Sequence, residues 1–213
     1  MIHVYGIVDE LDSLPPLEGL DDAPLERRRV DDLELVVSEV PREEVTQEAV
    51  LRHAEVVEAL MSRSRAVLPA QFSRPFSGDE ELVSAVTAKA PELGQRLHRV
   101  RGCVELGLRV VAPKAETVPE AKSGAEYLRA RLDEEHRRSQ LVAQLDEPLA
   151  RLSQETAGGA AGSDVFERAY LVRAEDVPAF INAVRELEAA NPELSLACTG
   201  PWPPYSFGAE TTK

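Results

Sequence analysis

A run of alternating residues restricts the fold of this chain more than any other feature. Between residues 103 and 112, every second side chain is apolar, and this set comprises Val104, Leu106, Leu108 and Val110. Successive side chains of a strand point to opposite faces of a sheet, so the spacing predicts a strand with one buried face. The chain therefore has to build a sheet that packs on one side against other elements.

Other patterns along the chain place this strand within a mixed architecture. Apolar residues at helical spacing predict helices at 47–63, 79–101, 123–152 and 176–190, and strand-forming runs lie at 2–8, 33–40, 66–72, 165–173 and 194–199. This order predicts an α+β fold class, because strands and helices do not alternate regularly. We expect a modified ferredoxin-like domain at residues 1–113 and an α+β domain at residues 114–213.

The second half of the chain has one unusually long helix. Ser123 followed by Glu126 forms a capping-box pattern that predicts its start. Residues 133–140 contain no apolar side chain, so we expect them to form a solvated helical arm. Pro148 is expected to kink or restart this helix. The glycine-rich residues 157–162 are interpreted as a flexible tether.

The charge balance excludes several classes of function. Acidic residues number 38 and basic residues 24, so the formal net charge is −14. Such a chain repels phosphates, which argues against nucleic-acid binding and against adhesion to anionic membranes. We expect no signal peptide and no membrane span, because no apolar run is long enough. Two cysteines are too few for a disulfide scaffold, and this favours a cytoplasmic protein.

Histidines and cysteines are the candidates for catalysis or metal binding. His53, His98 and His136 lie on predicted helices, at spacings that do not bring three ligands together. Cys103 and Cys198 lie inside predicted strands, away from the helix N-termini that stabilise a thiolate. No phosphate-binding, dinucleotide-binding, zinc-protease or serine-hydrolase motif occurs. We predict no catalytic residue, metal or cofactor; the alternative is a small cytoplasmic enzyme with a Cys/His site.

The segment from residue 200 to residue 207 has the most distinctive composition in the chain. Its prolines hold it extended, and its aromatic side chains either fill a core or anchor in a groove of a partner. We expect a mixed case, in which the tryptophan is buried and the other two aromatic residues lie nearer the surface. The segment is expected to fix the C-terminal domain and to border a partner surface. These candidate residues are Gly200, Pro201, Trp202, Pro203, Pro204, Tyr205 and Phe207.

With these motifs the chain resembles the gas vesicle protein F/L family along nearly its whole length. The most specific match is the segment Gly200–Phe207, and the order of the weaker matches makes a chance resemblance improbable. These weaker matches are Val4–Val8, Val50–Glu58, Val67–Phe72, Gly102–Leu106 and Ser123–Leu128.

The resemblance implies a non-enzymatic role. Proteins of this family are accessory components of gas vesicles, which are hollow protein shells that give buoyancy. The implied partners are the hydrophobic shell subunit and other accessory proteins, and the implied location is the gas vesicle or the cytoplasm. The resemblance also implies a modified ferredoxin-like N-terminal domain and an α+β C-terminal domain. We expect the protein to bind or chaperone the shell subunit during assembly, or to remain as a minor vesicle component.

Overall fold

The structure, a computed structural model, divides into two compact units. It describes residues 1–41, 45–73, 75–111, 123–161 and 165–208. The first unit comprises Met1–Glu105 with Pro201–Lys213, and the second comprises Leu106–Gly200. The boundary predicted between residues 113 and 114 lies outside the described residues. In the structure the first part of the first unit ends at Glu105, and the chain returns to this unit after Gly200.

The first unit is built on a four-stranded sheet. Its strands are β1 (Ile2–Asp9), β2 (Glu26–Val30), β3 (Leu33–Glu39) and β4 (Ala66–Pro69), in the order β2-β3-β1-β4. Each neighbouring pair is antiparallel. Strand β1 is buried along most of its length, which fits its place between two neighbours.

Strand β2 differs from the prediction, because its sequence reads as part of a charged loop. The run Glu-Arg-Arg-Arg-Val lacks the apolar alternation of a half-buried strand. It pairs only with β3, at the edge of the sheet, and its arginines form ion pairs. Arg27 lies 3.1 Å from Glu34, and Arg28 lies 3.1 Å from Glu26. Charged side chains at a sheet edge also discourage pairing with another chain.

Two helices and a loop complete the core of the first unit. Helix α1 (Gln47–Met61) begins at Thr46, whose hydroxyl accepts a hydrogen bond from the Ala49 amide at 3.1 Å. Helix α2 (Asp79–Arg99) continues through Pro91 without a break. One buried core cluster of the unit comprises Tyr5, Val8, Leu11, Leu20, Leu25, Val36, Val40, Val56, Val57, Leu60 and Val67.

The second unit has its own sheet and core. Strands β5 (Cys103–Val111), β6 (Glu155–Ala161), β7 (Val165–Arg173) and β8 (Ser195–Trp202) lie in the order β6-β7-β5-β8. Helices α3 (Gly124–Arg151) and α4 (Val177–Ala190) belong to the same unit. Its core comprises Leu106, Leu108, Val110, Leu145, Leu149, Phe166, Tyr170, Val172, Phe180, Val184, Leu194 and Leu196. The strand predicted from alternation at residues 103–112 is therefore confirmed as β5, and the α+β class is confirmed as well.

The glycine-rich stretch is a strand and not a tether. Strand β6 pairs antiparallel with β7, and the register shifts between Gly158 and Ala161. Gly158 and Gly159 have φ angles of +79° and +108°, which glycine adopts readily. The glycines thus serve a β-bulge, which the sequence pattern does not distinguish from a flexible linker.

Helix α3 has nearly the predicted bounds and is more continuous than predicted. It passes through Pro148 and ends at Arg151, so the expected restart is wrong. Residues 133–140 lie inside it, and the side chains described there are exposed. Its first-half apolar residues, Tyr127, Leu128 and Leu132, are also exposed. Among the described residues, no helix is both long and apolar enough to cross a membrane.

Candidate functional site

The predicted C-terminal segment divides into a strand end and a helical turn. Gly200 lies in β8 with a φ of +106°, and the strand ends at Trp202. Pro203 and Pro204 are buried and connect it to a single turn, α5 (Tyr205–Gly208). The prolines hold the chain extended only up to this turn, because the Phe207 amide then donates to the Pro204 carbonyl at 3.2 Å.

Hydrogen bonds attach this turn to the first unit. The amide and hydroxyl of Ser206 donate to the Glu105 carboxylate at 2.8 and 2.7 Å. Arg99 donates to the Phe207 carbonyl at 2.5 Å, and Arg96 donates to the Gly208 carbonyl at 3.1 Å. Arginine side chains in the last turn of α2 thereby satisfy carbonyls at the end of α5, where no intrahelical donor is available.

The aromatic residues of the segment are arranged in the opposite way to the expectation. Phe207 is only 1% exposed, whereas Trp202, predicted to be buried, is 45% exposed. Tyr205 is half-buried against the core of the first unit, and burial, with the nearby Glu58 carboxylate, raises its pKa to about 12. The arrangement differs from the expectation because the segment ends in a helical turn. Phe207 lies in this turn and is buried, whereas Trp202 lies at the end of β8 and is exposed. The segment thus has a buried anchor and an exposed apolar ring.

A buried histidine pair is a second notable feature of the first unit. Nε2 of His53 donates to the Ala70 carbonyl at 2.9 Å, because a carbonyl oxygen can only accept. Nδ1 of His53 is therefore the acceptor for Nε2 of His3, at 2.8 Å. Both rings are neutral in this arrangement. The sequence predicts His53 as a bonded helix histidine but gives no role to His3.

Burial explains the electrostatics of this pair. His3 is 2% exposed, and burial, followed by repulsion from His53, lowers its pKa to about 4. Burial also lowers the pKa of His53, while its hydrogen bond to Ala70 opposes the change. His3 and Tyr5 are two residues apart in β1, so their side chains lie on the same face of the strand. Both rings contact each other, and Tyr5 stacks on His53 of α1. This spacing is the sequence feature that could have indicated a role for His3.

A small cavity lies beside His3 in the first unit. Its volume is about 50 Å³, which is enough for a few water molecules. Within the described residues, no group of three or more histidine, cysteine or acidic side chains could hold a metal ion. The cavity lining comprises His3, Leu20, Asp21, Val40, Val45, Thr46, Ala49, Phe72, Ser73 and Pro75.

The candidate catalytic residues do not assemble into a recognisable reactive site in the described residues. Both ring nitrogens of His53 are engaged by His3 and Ala70. Cys103 and Cys198 do not form a disulfide with each other, and both are half-buried. Burial raises the pKa of the Cys198 thiol, which lowers its thiolate fraction. His98 and His136 are exposed on helices α2 and α3.

Comparison with known proteins identifies relatives along nearly the whole chain. A sequence profile described as "Gas vesicle synthesis protein GvpL/GvpF" matches residues 1–209. Gas vesicle protein F1 of Halobacterium salinarum is 28% identical, and the match covers 97% of this chain and 92% of the relative. Gas vesicle protein L of a Streptomyces species is also 28% identical, with 95% of this chain and 80% of the relative covered.

Solved structures agree on the fold. The crystal structure of gas vesicle protein GvpF from Anabaena matches with a TM-score of 0.84 and 17% identity, covering 99% of this chain and 96% of that one. GvpF from Microcystis aeruginosa matches with a TM-score of 0.81 and 18% identity, covering 98% of both chains. At these identities the likeness concerns the fold, and the profile match over residues 1–209 establishes the family. The chain belongs to the GvpL/GvpF family of gas vesicle synthesis proteins.

Proposed function

We propose that this protein is an accessory factor in gas vesicle formation that binds the hydrophobic shell subunit. Its relatives are gas vesicle proteins F and L, which supports a role in gas vesicle formation. A shell subunit that borders a gas space exposes apolar surface before it assembles, and such a surface aggregates unless it is covered. The proposed role is non-enzymatic, and the protein acts during assembly or stays as a minor vesicle component.

The exposed indole of Trp202 is the observation that carries this proposal. It is the single tryptophan of the chain and is 45% exposed, on a segment that Phe207 anchors in the first unit. Tryptophan is enriched among the residues that dominate binding energy at protein interfaces. A rigid anchor limits the conformational entropy that is lost when the ring docks on a partner. The segment Gly200–Phe207 is therefore proposed to border the surface that contacts the shell subunit.

The charge of the protein supports a chaperoning role. A net charge of −14 keeps a complex with an apolar subunit dispersed, because like-charged complexes repel each other. We place such complexes in the cytoplasm before assembly and at the gas vesicle afterwards. Other accessory proteins of the vesicle are the second proposed class of partner.

Co-purification with the shell subunit tests this function. Trp202→Ala should weaken binding by about 2 kcal/mol or more, which is roughly 30-fold. The matched control is Val83→Ala, since Val83 is equally exposed on α2. Unchanged binding in Trp202→Ala, with the same vesicle yield as the parent, would reject the segment as a contact. Failure of the unaltered protein to capture the shell subunit would reject the function itself.

We also propose that the first unit is a variant of the ferredoxin-like sandwich. Its sheet order, β2-β3-β1-β4, places the first strand between the third and fourth strands of the unit. A loop that contains a short 3-10 turn, Leu20–Asp22, connects β1 to β2 where the ferredoxin-like pattern has a helix. In the second unit, residues 133–140 of α3 are proposed as a solvated arm for charge-based contacts.

A further inference from the structure

The cavity beside His3 is bordered by a buried nitrogen that lacks a hydrogen-bond partner. In the part of the chain that the structure describes, the His3 ring forms one hydrogen bond, from Nε2 to Nδ1 of His53. The other ring nitrogen, Nδ1, has no partner there, although the residue is only 2% exposed. Buried polar atoms in native proteins are nearly always hydrogen-bonded, because an unpaired one costs free energy. Nδ1 of His3 therefore requires a partner from outside the described chain.

A series of hydrogen bonds fixes the chemistry of this nitrogen. The Ala70 carbonyl accepts from Nε2 of His53, so Nδ1 of His53 carries a lone pair and accepts from Nε2 of His3. A neutral imidazole has one N–H group, so Nδ1 of His3 carries a lone pair as well. Burial lowers the pKa of His3 to about 4, which keeps the ring neutral at pH 7. The missing partner is therefore a hydrogen-bond donor.

The cavity is the place where this donor can lie. His3 borders it, and the rings of Tyr5, His53 and Phe72 pack around His3 with centroids 4.9, 5.1 and 5.4 Å away. The cavity volume is about 50 Å³. One water molecule needs about 10–15 Å³ of such space, so the cavity has room for roughly three to five groups of that size. A short chain of non-hydrogen atoms that ends in a donor fits this space.

The walls of the cavity favour an aliphatic chain with a positively charged end. Leu20, Phe72 and Pro75 supply apolar surface, which favours the burial of methylene groups. Asp21 supplies a carboxylate, and a hydrogen bond between a cation and a carboxylate is stronger than one between neutral groups. Among the described residues that line the cavity, none is an arginine or a lysine. No positive side chain of this lining therefore competes for the carboxylate.

The N-terminus of α1 opposes a cation only in part. Thr46 lines the cavity, and a helix N-terminus acts as roughly half a positive charge. Glu48 lies in the first turn of α1, and its carboxylate compensates this charge. Arg52 acts on the neighbouring Tyr5, but its guanidinium is paired with Glu55 at 2.9 Å. With the carboxylate of Asp21 added, the local balance of charge is negative.

We propose that this cavity binds a short alkylammonium group. The ammonium donates to Nδ1 of His3 and to the carboxylate of Asp21, while its methylene groups pack against Leu20 and Phe72. Two sources carry this chemistry, namely a free aliphatic amine and the lysine side chain of a partner protein. The site does not involve Trp202, so it is independent of the contact proposed above for the shell subunit.

Nitrogen-15 NMR of the histidine rings in the full chain tests the proposal by titration with n-butylammonium chloride at constant ionic strength. The probe has five non-hydrogen atoms and makes few contacts, so we expect a Kd on the order of 1 mM. The Nδ1 resonance of His3 should shift, whereas the resonances of the exposed His98 and His136 should not. n-Butyltrimethylammonium has the same charge but no donor, and it should bind at least about tenfold more weakly.

Asp21→Asn and Asp22→Asn form a matched pair of variants. Both residues are exposed and have positive φ angles, 53° and 55°, a backbone region that asparagine tolerates. Of the two, only Asp21 lines the cavity. Asp21→Asn should raise the Kd of n-butylammonium by about fivefold. Asp22→Asn removes the same charge from a neighbouring position and should stay within about twofold of the parent.

Nα-acetyl-lysine N-methylamide distinguishes the two sources of the ligand. If it shifts the Nδ1 resonance of His3 as n-butylammonium does, the site accepts the lysine side chain of a partner. If only n-butylammonium does so, the ligand is a free amine.

Three results would overturn the proposal. The first is an unchanged Nδ1 resonance of His3 at about 50 mM n-butylammonium, which leaves water as the occupant of the cavity. The second is equal binding of n-butyltrimethylammonium, which excludes a hydrogen bond to His3. The third is an equal Kd in Asp21→Asn and Asp22→Asn, which excludes the contact with the Asp21 carboxylate.

Discussion

His3 and His53 form a buried neutral pair whose hydrogen bonds fix both tautomers. Burial lowers the folded-state pKa of both rings, to about 4 for His3, below the unfolded value of 6.5. The unfolded chain therefore binds protons first as the pH falls, and stability is lost between about pH 6.5 and pH 4. For His3 alone the loss approaches roughly 3 kcal/mol.

Urea unfolding at pH 7 and pH 5 measures this effect. The double variant His3→Leu and His53→Leu should lose less stability than the parent between these values, although it is less stable at pH 7. The control is His98→Gln with His136→Gln, at two exposed positions, and it should keep the parent's pH dependence. If the double variant loses as much stability as the parent between pH 7 and pH 5, the histidine pair is not the cause of the loss.

Gly19 is required by a close approach of side chains in the first unit. A Cβ atom at this position would overlap the Tyr5 hydroxyl and lie 2.9 Å from the Ser38 hydroxyl oxygen. The Tyr5 hydroxyl accepts from the Leu20 amide at 2.7 Å, so it cannot move freely. Gly19→Ala should cost about 1–3 kcal/mol of unfolding free energy.

Gly94 provides the comparison for this substitution. It lies in α2, and a Cβ atom there meets only open space. Gly94→Ala should raise the unfolding free energy by up to about 1 kcal/mol, because alanine favours helix. Equal effects of the two changes in urea unfolding would show that the overlap at Gly19 is relieved by movement of its neighbours.

At the scale of elements, a partly buried ion pair joins α3 to β7. The Asp146 carboxylate accepts from Arg168 and, at 2.8 Å, from the Tyr170 hydroxyl. Asp146→Ala leaves the Arg168 guanidinium without this partner and should cost roughly 2–3 kcal/mol. Arg151→Ala removes an exposed pair with Glu147 and should change stability by less than about 0.5 kcal/mol. Similar unfolding free energies for the two variants would contradict this difference.

The C-terminal turn α5 gives a second prediction at this scale. Phe207→Ala should cost about 3–5 kcal/mol, because the ring is fully buried. Trp202→Ala should cost less than about 1 kcal/mol, since nearly half of its surface is exposed. Chemical unfolding of both variants measures the contrast. If Trp202→Ala lost more unfolding free energy than Phe207→Ala, Trp202 would be the buried ring, as the sequence had predicted.

For the whole molecule, residues 201–208 are part of the first unit, although they follow the second unit in sequence. Truncation after Trp202 removes Phe207 and the hydrogen bonds to Glu105, Arg96 and Arg99. Amide hydrogen exchange should accelerate in β1 and β4, while β6 and β7 keep the protection of the parent. Loss of protection in β6 and β7 alone would instead assign the segment to the second unit.

Local sequence determined the elements that have a strong periodic signal. The alternation in β5 and the cap at Ser123 depend on residues only two to four positions apart, and each is found as predicted. The order of the predicted elements indicated the α+β class, and the resemblance of several motifs indicated the family. The sequence singled out the Gly200–Phe207 segment, but the prediction that Trp202 is its buried ring was wrong, since Phe207 is buried instead.

Tertiary structure decided the features that depend on distant partners. A charged run becomes strand β2 because β3 lies beside it, and a glycine-rich run becomes β6 because β7 pairs with it. The His3–His53 pair joins residues 50 positions apart, and Phe207 is buried by elements more than 100 residues earlier. Burial is a property of the packed chain, and no local pattern records which distant surface a side chain will meet.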